Sequence, residues 1–397
     1  MVSIKWSLVT LPRQKPGPSV LIGLLALSMV FVFATVCKAR NATHPAAPRL
    51  ERLGPKNALS VYWVGHSLMN TKADTPEGVI DLMSLLGTFA QSKGLDYEFE
   101  DHTLWGTPLS ANWRGQPHGY KRDARSMVDK RRAFELEAAK YDTLVLTEGL
   151  PLPTVLKHEF SAHYVRRFYC TLKRARPKAR VYLFQSWVNL QGGDPHANYP
   201  PAHEFDWRTE MVEQRKTWEK LADEARRPVV RSPGWLSILG MKSISDAGCK
   251  NSDPIYLVPV GQTFLAIAER LARPRPADDF VKPDGSKLKL ADLFSNPFIN
   301  WPQEWPLKEG IAGDASALKL KNLKLAHPSK PHDDIHPSAT GIYVSALVHF
   351  ATLYRRSPMG LPPLKLIGDA LSKTLQCIAW ETVLNDPRSG VKGDPSC

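Results

Sequence analysis

After residue 58 the spacing of apolar positions switches between two periods, and the switches mark out the elements. Leu59–Val64 alternates β-forming residues and predicts a first strand. Apolar positions at helical spacing follow from Pro76 to Lys93, with Gly94 ending the run. Short β-rich runs recur at Tyr97–Asp101, Thr143–Thr147, Arg180–Gln185 and Pro254–Val260. Between and after them, helical spacing covers residues 126–140, 159–175, 208–226, 261–272, 338–355 and 367–385. Strands alternating with helices predict an α/β fold, a three-layer sandwich with a central parallel sheet covered on both faces. Residues 274–330 are Pro-rich and read as an irregular insertion over one edge. Nothing resembling a linker divides residues 58–388, so they form one domain, with 389–397 as a flexible tail.

Composition changes this picture mainly at the N-terminus. The chain has 397 residues, 43% hydrophobic and 23% charged, enough for one large core. Its formal charge is +13, but residues 1–56 hold eight Lys/Arg against Glu51 alone. The rest carries little excess, and no Lys/Arg run interleaved with aromatics appears, so nucleic acid is not an expected partner. Val20–Val36 is a 17-residue run without a charge, preceded by Lys5, Arg13 and Lys15. It reads as a signal anchor within residues 1–39, followed by a tether over 40–57. The expected location is therefore the membrane, single-pass through residues 20–36, with the globular part periplasmic or extracellular. Cys170, Cys249, Cys377 and Cys397 lack metal-ribbon spacing; they allow three pairings, and the plainer reading is free thiols.

The candidate chemistry sits at two distant places. Gly65-His66-Ser67 follows the first strand, where α/β sheets keep their ligands. Asp333-Asp334-Ile335-His336-Pro337-Ser338 precedes a helix some 270 residues later. A serine hydroxyl attacks an acyl carbon only when a base takes its proton, and His336 is the candidate base. A carboxylate must hold that imidazole in one tautomer; Asp333 is preferred to Asp334. The N–H groups of Ser67 and Gly106 are candidate oxyanion donors. His66, Trp105, Glu148, Trp187 and Asn189 are candidate substrate-binding residues at the same sheet edge, and Trp113 is a further aromatic there. His327, His332, Asp333, Asp334 and His336 crowd closely enough to raise a metallohydrolase as a lesser alternative. No metal or other cofactor is expected.

These stretches resemble the SGNH (GDSL-like) hydrolases. Gly65-His66-Ser67-Leu68 is similar to their first block, Trp105-Gly106-Thr107-Pro108-Leu109 to the second, and Asp333-x-x-His336-Pro337-Ser338 to the last. His66 stands where the family's motif has aspartate. The third block's Gly-x-Asn-Asp is absent, and Leu146-Thr147-Glu148-Gly149-Leu150 occupies that strand end. The resemblance implies a flavodoxin-like fold and a Ser67–His336–Asp333 triad acting on ester bonds of carbohydrates or lipids in the cell envelope. It also implies that either Asn112 or Asn189 supplies the missing oxyanion donor or the oxyanion hole is reduced. A non-catalytic carbohydrate-binding protein of the same fold is the alternative.

Overall fold

A computed structural model describes residues 53–115, 124–190, 207–227, 249–250, 252–273, 280–297, 324–395 and 397. All of them fall in the unit Leu50–Cys397. In chain order the elements are β1 (Ala58–Gly65), α1 (Ser67–Asn70), β2 (Ala73–Thr75), β3 (Gly78–Ile80), α2 (Leu82–Ser92) and β4 (Asp96–Thr103). Then come α3 (Leu109–Arg114), α4 (Ala124–Glu137), β5 (Thr143–Leu146), α5 (Leu152–His158), α6 (Ser161–Ala175) and β6 (Arg180–Phe184). The last group is α7 (Trp207–Ala225), β7 (Ile255–Val258), α8 (Val260–Leu271), β8 (Phe294–Asn296), β9 (Asp333–Pro337), α9 (Ala339–Leu353) and α10 (Gly368–Asn385).

Five strands form the sheet in the order β4-β1-β5-β6-β7, every pair parallel. Parallel strands need covering on both faces, and β1 shows how the sequence provides it. Val61 and Trp63 point into one core with α2, α8, α9 and α10, while Tyr62 and Val64 point into a second core with α3, α4 and α6. The α/β class and the central parallel sheet expected from periodicity are therefore present. The strand order reverses direction at β1, between β4 and β5, and such a reversal opens a crevice at the carboxyl ends of those strands.

Several expectations are corrected. The helix expected from Pro76 begins only at Leu82: Ala73–Thr75 and Gly78–Ile80 pair as an antiparallel hairpin around Pro76-Glu77, with Gly78 at φ +123. Asp81 then caps α2 by accepting from Ser84 N–H at 2.9 Å. The insertion is not wholly irregular, because β8 pairs with β9. The terminal residues are held rather than loose: Val391 bridges Leu53, Trp380 Nε1 donates to the Asp394 carbonyl at 2.7 Å, and Cys377 bonds Cys397. Cys170 and Cys249 form a second disulfide, so the free-thiol reading fails. Among the described residues no helix is long and apolar enough to cross a membrane; the Val20–Val36 run lies outside them.

Candidate active site

Ser67 opens α1 directly after β1, and the turn depends on Gly65. A Cβ there would lie 2.5 Å from Thr147 Cγ2 and 2.8 Å from Met69 Sδ, so only glycine lets β1 end this close to β5. His66, extended at φ −140 and ψ −163, precedes the helix. Its Nε2 is paired with the Glu148 carbonyl at 2.8 Å. Burial pushes the His66 imidazole down to about 4, the Glu148 carbonyl opposes that, and the nearby His336 adds to it. His66 is therefore neutral at pH 7 and ties the serine turn to β5.

The segment bearing His336 is fixed from several sides. As β9 it pairs with β8, and the Ser338 amide donates to the Leu293 carbonyl at 3.0 Å. Ser338 then caps α9 by accepting from Gly341 N–H at 3.2 Å. A Cβ at Gly341 would come within 2.2 Å of the Leu293 carbonyl oxygen, so glycine is needed for this close approach. Trp187 Nε1 donates to the Ile335 carbonyl at 2.8 Å, and Asn189 Nδ2 donates to Asp334 Oδ1 at 2.9 Å. Asn296 closes the preceding loop. Its Nδ2 lies 3.3, 3.0 and 2.7 Å from the carbonyls of His327, Lys330 and Pro331, and its Oδ1 accepts the His327 amide at 2.7 Å.

These supports bring the two distant stretches together. His336 Nε2 lies 2.8 Å from Ser67 Oγ, and His336 Nδ1 lies 3.0 Å from each Asp333 carboxylate oxygen. Asp333 also accepts the His336 amide at 3.1 Å, so the acid and ring are fixed within one turn. Burial alone would raise the Asp333 carboxyl. The His336 ring and the amides of His336 and Ile335 outweigh that and hold it below its usual value. Asp334 points away, buried and bonded to Asn189, which leaves Asp333 as the residue facing the ring. Trp105 stacks on His336 at 5.2 Å between centroids and 21° between planes, with 45% of its surface exposed.

Gly106 follows, with φ +65, in a turn closed by Thr107 N–H on the Leu104 carbonyl at 3.2 Å. Leu104 N–H and Asn112 Nδ2 both donate to the Gly65 carbonyl, at 3.1 and 3.0 Å, and this pins the Gly106 loop beside the serine turn. Neither the Ser67 nor the Gly106 amide has a hydrogen-bond partner among the described residues.

Other residues expected at the site have structural work instead. Asn112 donates from Nδ2 to the Gly65 carbonyl of the serine turn at 3.0 Å, and Asn189 donates from Nδ2 to Asp334 Oδ1 at 2.9 Å. Trp187 is fully buried, stacked on Phe264 at 4.4 Å, and is a support for the histidine segment rather than a substrate wall. Trp113 is buried, with Arg131 and Arg167 over its ring. Glu148 has no exposed surface; its Oε1 accepts from Leu109 N–H at 3.0 Å and Gly149 N–H at 2.8 Å, holding the start of α3. Burial pushes its carboxyl up to about 7, a shift that the Ser161 hydroxyl and those two amides oppose and Glu159 assists. Among the described residues, the histidines and acids around His336 do not gather as a set of three potential metal ligands. The supporting role of Asn296 was not anticipated, since a single Ser-Asn-Pro stretch carries no sign of its partners. No protein-family model matches this chain, and a search of curated proteins returned no match.

Proposed function

We propose that this chain is a serine hydrolase of the SGNH type with a flavodoxin-like fold, cleaving or transferring an acyl group on a carbohydrate or lipid ester. The observation that carries the reading is the relay from Asp333 through His336 to Ser67 Oγ, with both links at 3.0 Å or less. His336 Nε2 takes the Ser67 proton as Oγ adds to the ester carbonyl carbon. The resulting oxyanion rests against the Ser67 and Gly106 amides. Collapse breaks the bond to the alcohol, which leaves with the proton from His336. Water, or a sugar hydroxyl in a transfer reaction, then repeats the sequence on the acyl-serine. Asp333, ionised throughout the neutral range, holds Nδ1–H and stabilises the imidazolium.

Two disulfides fit an oxidising compartment, in keeping with a domain carried outside the cytoplasm on the Val20–Val36 anchor. Labelling with a fluorophosphonate, followed by peptide mass mapping, tests the mechanism: the adduct is expected on Ser67, and Ser67→Ala is expected to abolish hydrolysis of a chromogenic acetyl ester. A folded protein that neither labels nor turns over refutes it. One observation favours a second reading, a binding protein without turnover. Glu148 stands at the strand end where the family has its asparagine donor, and its Oε1 accepts from Leu109 and Gly149 instead of donating. Ligand affinity unchanged by Ser67→Ala, with no labelling of the parent chain, is the outcome that reading requires.

A further inference from the structure

A cleft lies at the opposite end of β1 from Ser67. The strand begins at Ala58 and delivers Ser67 just past Gly65, so its two ends stand roughly 23 Å apart. The cleft, beside the starting end, is open and has a volume of about 420 Å³. Lys93, Arg355, Arg356 and Lys392 line it together with Ser357 and Trp380, and no carboxylate is among its lining residues.

The four cations are not neutralised by one another's neighbours. Lys93 Nζ donates to the Met359 carbonyl at 3.1 Å. Arg355 Nη1 donates to the Gly54 carbonyl at 2.8 Å, and Arg356 Nε to the Lys56 carbonyl at 3.1 Å. Arg356 Nη2 bonds Asn57 Oδ1. Every one of these acceptors is neutral, as is the Tyr182 hydroxyl that Arg355 also meets. The nearest acidic bridge, Lys56 to Asp142 at 2.5 Å, uses a lysine outside the cleft lining. Two arginines elsewhere on this domain do meet carboxylates, Arg388 on Asp223 at 2.8 Å and Arg215 on Asp386 at 2.7 Å, while buried Arg166 donates to the Arg226 and Cys249 carbonyls. Arg355 is moreover one of two non-glycine residues at positive φ, +57, among those described. That left-handed backbone is uncommon for any residue bearing a Cβ, and Arg355 Nη1 there donates to the Gly54 carbonyl.

We propose that this cleft is a binding site for a phosphate-bearing anion, such as the phosphodiester of an anionic lipid headgroup. Guanidinium forks match tetrahedral oxyanions in geometry, flexible lysines add point charge, and the Ser357 hydroxyl is a further donor. Gly54, Lys56 and Asn57 supply the acceptors that Arg355 and Arg356 meet at this same cleft. A lipid phosphate held at this end would leave the Ser67 edge facing away from the surface that supplied it. The inference rests on the fold and this charge arrangement, and not on the esterase reading.

Titration of the full-length chain in neutral detergent, followed calorimetrically, tests it with three probes. These are inorganic phosphate, dihexanoyl-phosphatidylglycerol and dihexanoyl-phosphatidylcholine. Saturable binding of phosphatidylglycerol over phosphatidylcholine is expected, weakening as salt rises. Neutralising the two exposed lysines together, Lys93→Gln with Lys392→Gln, is expected to lower affinity roughly thirtyfold, about fivefold for each charge. Inorganic phosphate binding with the same loss in the double variant also supports the site, and identifies free phosphate as a sufficient ligand. Absence of binding by all three probes overturns the proposal, as does affinity unchanged in a double variant with an unaltered unfolding transition. Because Lys93 and Lys392 lie far from Ser67, fluorophosphonate labelling of the double variant is expected to match the parent. Failure of the esterase reading therefore leaves this test intact.

Discussion

Glu148 offers the most quantitative test of how this domain is held together. Its carboxyl is fully buried at the end of β5, and Glu148→Gln keeps an oxygen in place to accept from Leu109 and Gly149 while removing the ionisable group. The side chain ionises near 4.5 in the unfolded chain and near 7 in the fold, chiefly because burial disfavours the charged form. Below pH 4.5 both states carry the proton, so the native chain loses nothing. Between pH 4.5 and 7 the unfolded state gives up its proton while the fold retains it, and stability falls as pH rises. Above pH 7 the loss levels off at about 3 kcal/mol. The glutamine variant escapes this loss, so its stability relative to the parent is expected to grow by about 3 kcal/mol between pH 4.5 and 8. Urea unfolding followed by tryptophan fluorescence reads this as a gap in midpoints opening by about 1 M, for a slope of about 3 kcal/mol per molar. A gap that stays constant over that range refutes the argument, and a variant weaker than the parent at pH 8 refutes it more strongly.

Three other outcomes follow from the described contacts. Asp333→Asn keeps the acceptor for the His336 amide but holds the ring in the wrong tautomer, so ester-hydrolysis kcat should fall about 10⁴-fold; a loss under tenfold moves the orienting role to Asp334. Gly341→Ala places a methyl 2.2 Å from the Leu293 carbonyl oxygen and should destabilise by about 3 kcal/mol, measured by thermal unfolding. Cys170→Ser with Cys249→Ser releases a crosslink spanning 79 residues and should destabilise by about 4 kcal/mol, visible as the difference in urea midpoint from the parent.

The parts legible in the sequence were those whose information is local. The alternation of Leu59–Val64 specifies a two-faced buried strand, and Asp333-x-x-His336 encodes an acid and a ring within one turn, so both survive translation into three dimensions. Thr75-Pro76-Glu77-Gly78 was misleading because Pro suits the first position of a helix and of a tight turn equally well. The turn wins here because Gly78 takes φ +123 and Thr75 Oγ1 donates to its carbonyl at 2.7 Å. Glu148, Trp187 and Asn189 are expected at the carboxyl edge of the sheet, but topology fixes where a backbone ends and not which way a side chain turns. Each turned inward to meet a carbonyl, amide or carboxylate that only packing reveals. The cysteines are a similar case: spacing gave the possible pairs, and only the approach of α6 to the segment before β7 decided between them.

Asn296 and the Ala326 amide, which donates to the Pro297 carbonyl at 3.0 Å, fasten both ends of the stretch numbered 298–323 at a single neck. The carbonyls of His327, Lys330 and Pro331 thus converge on one side chain, so Asn296 sets where the chain turns back toward the histidine of the proton relay.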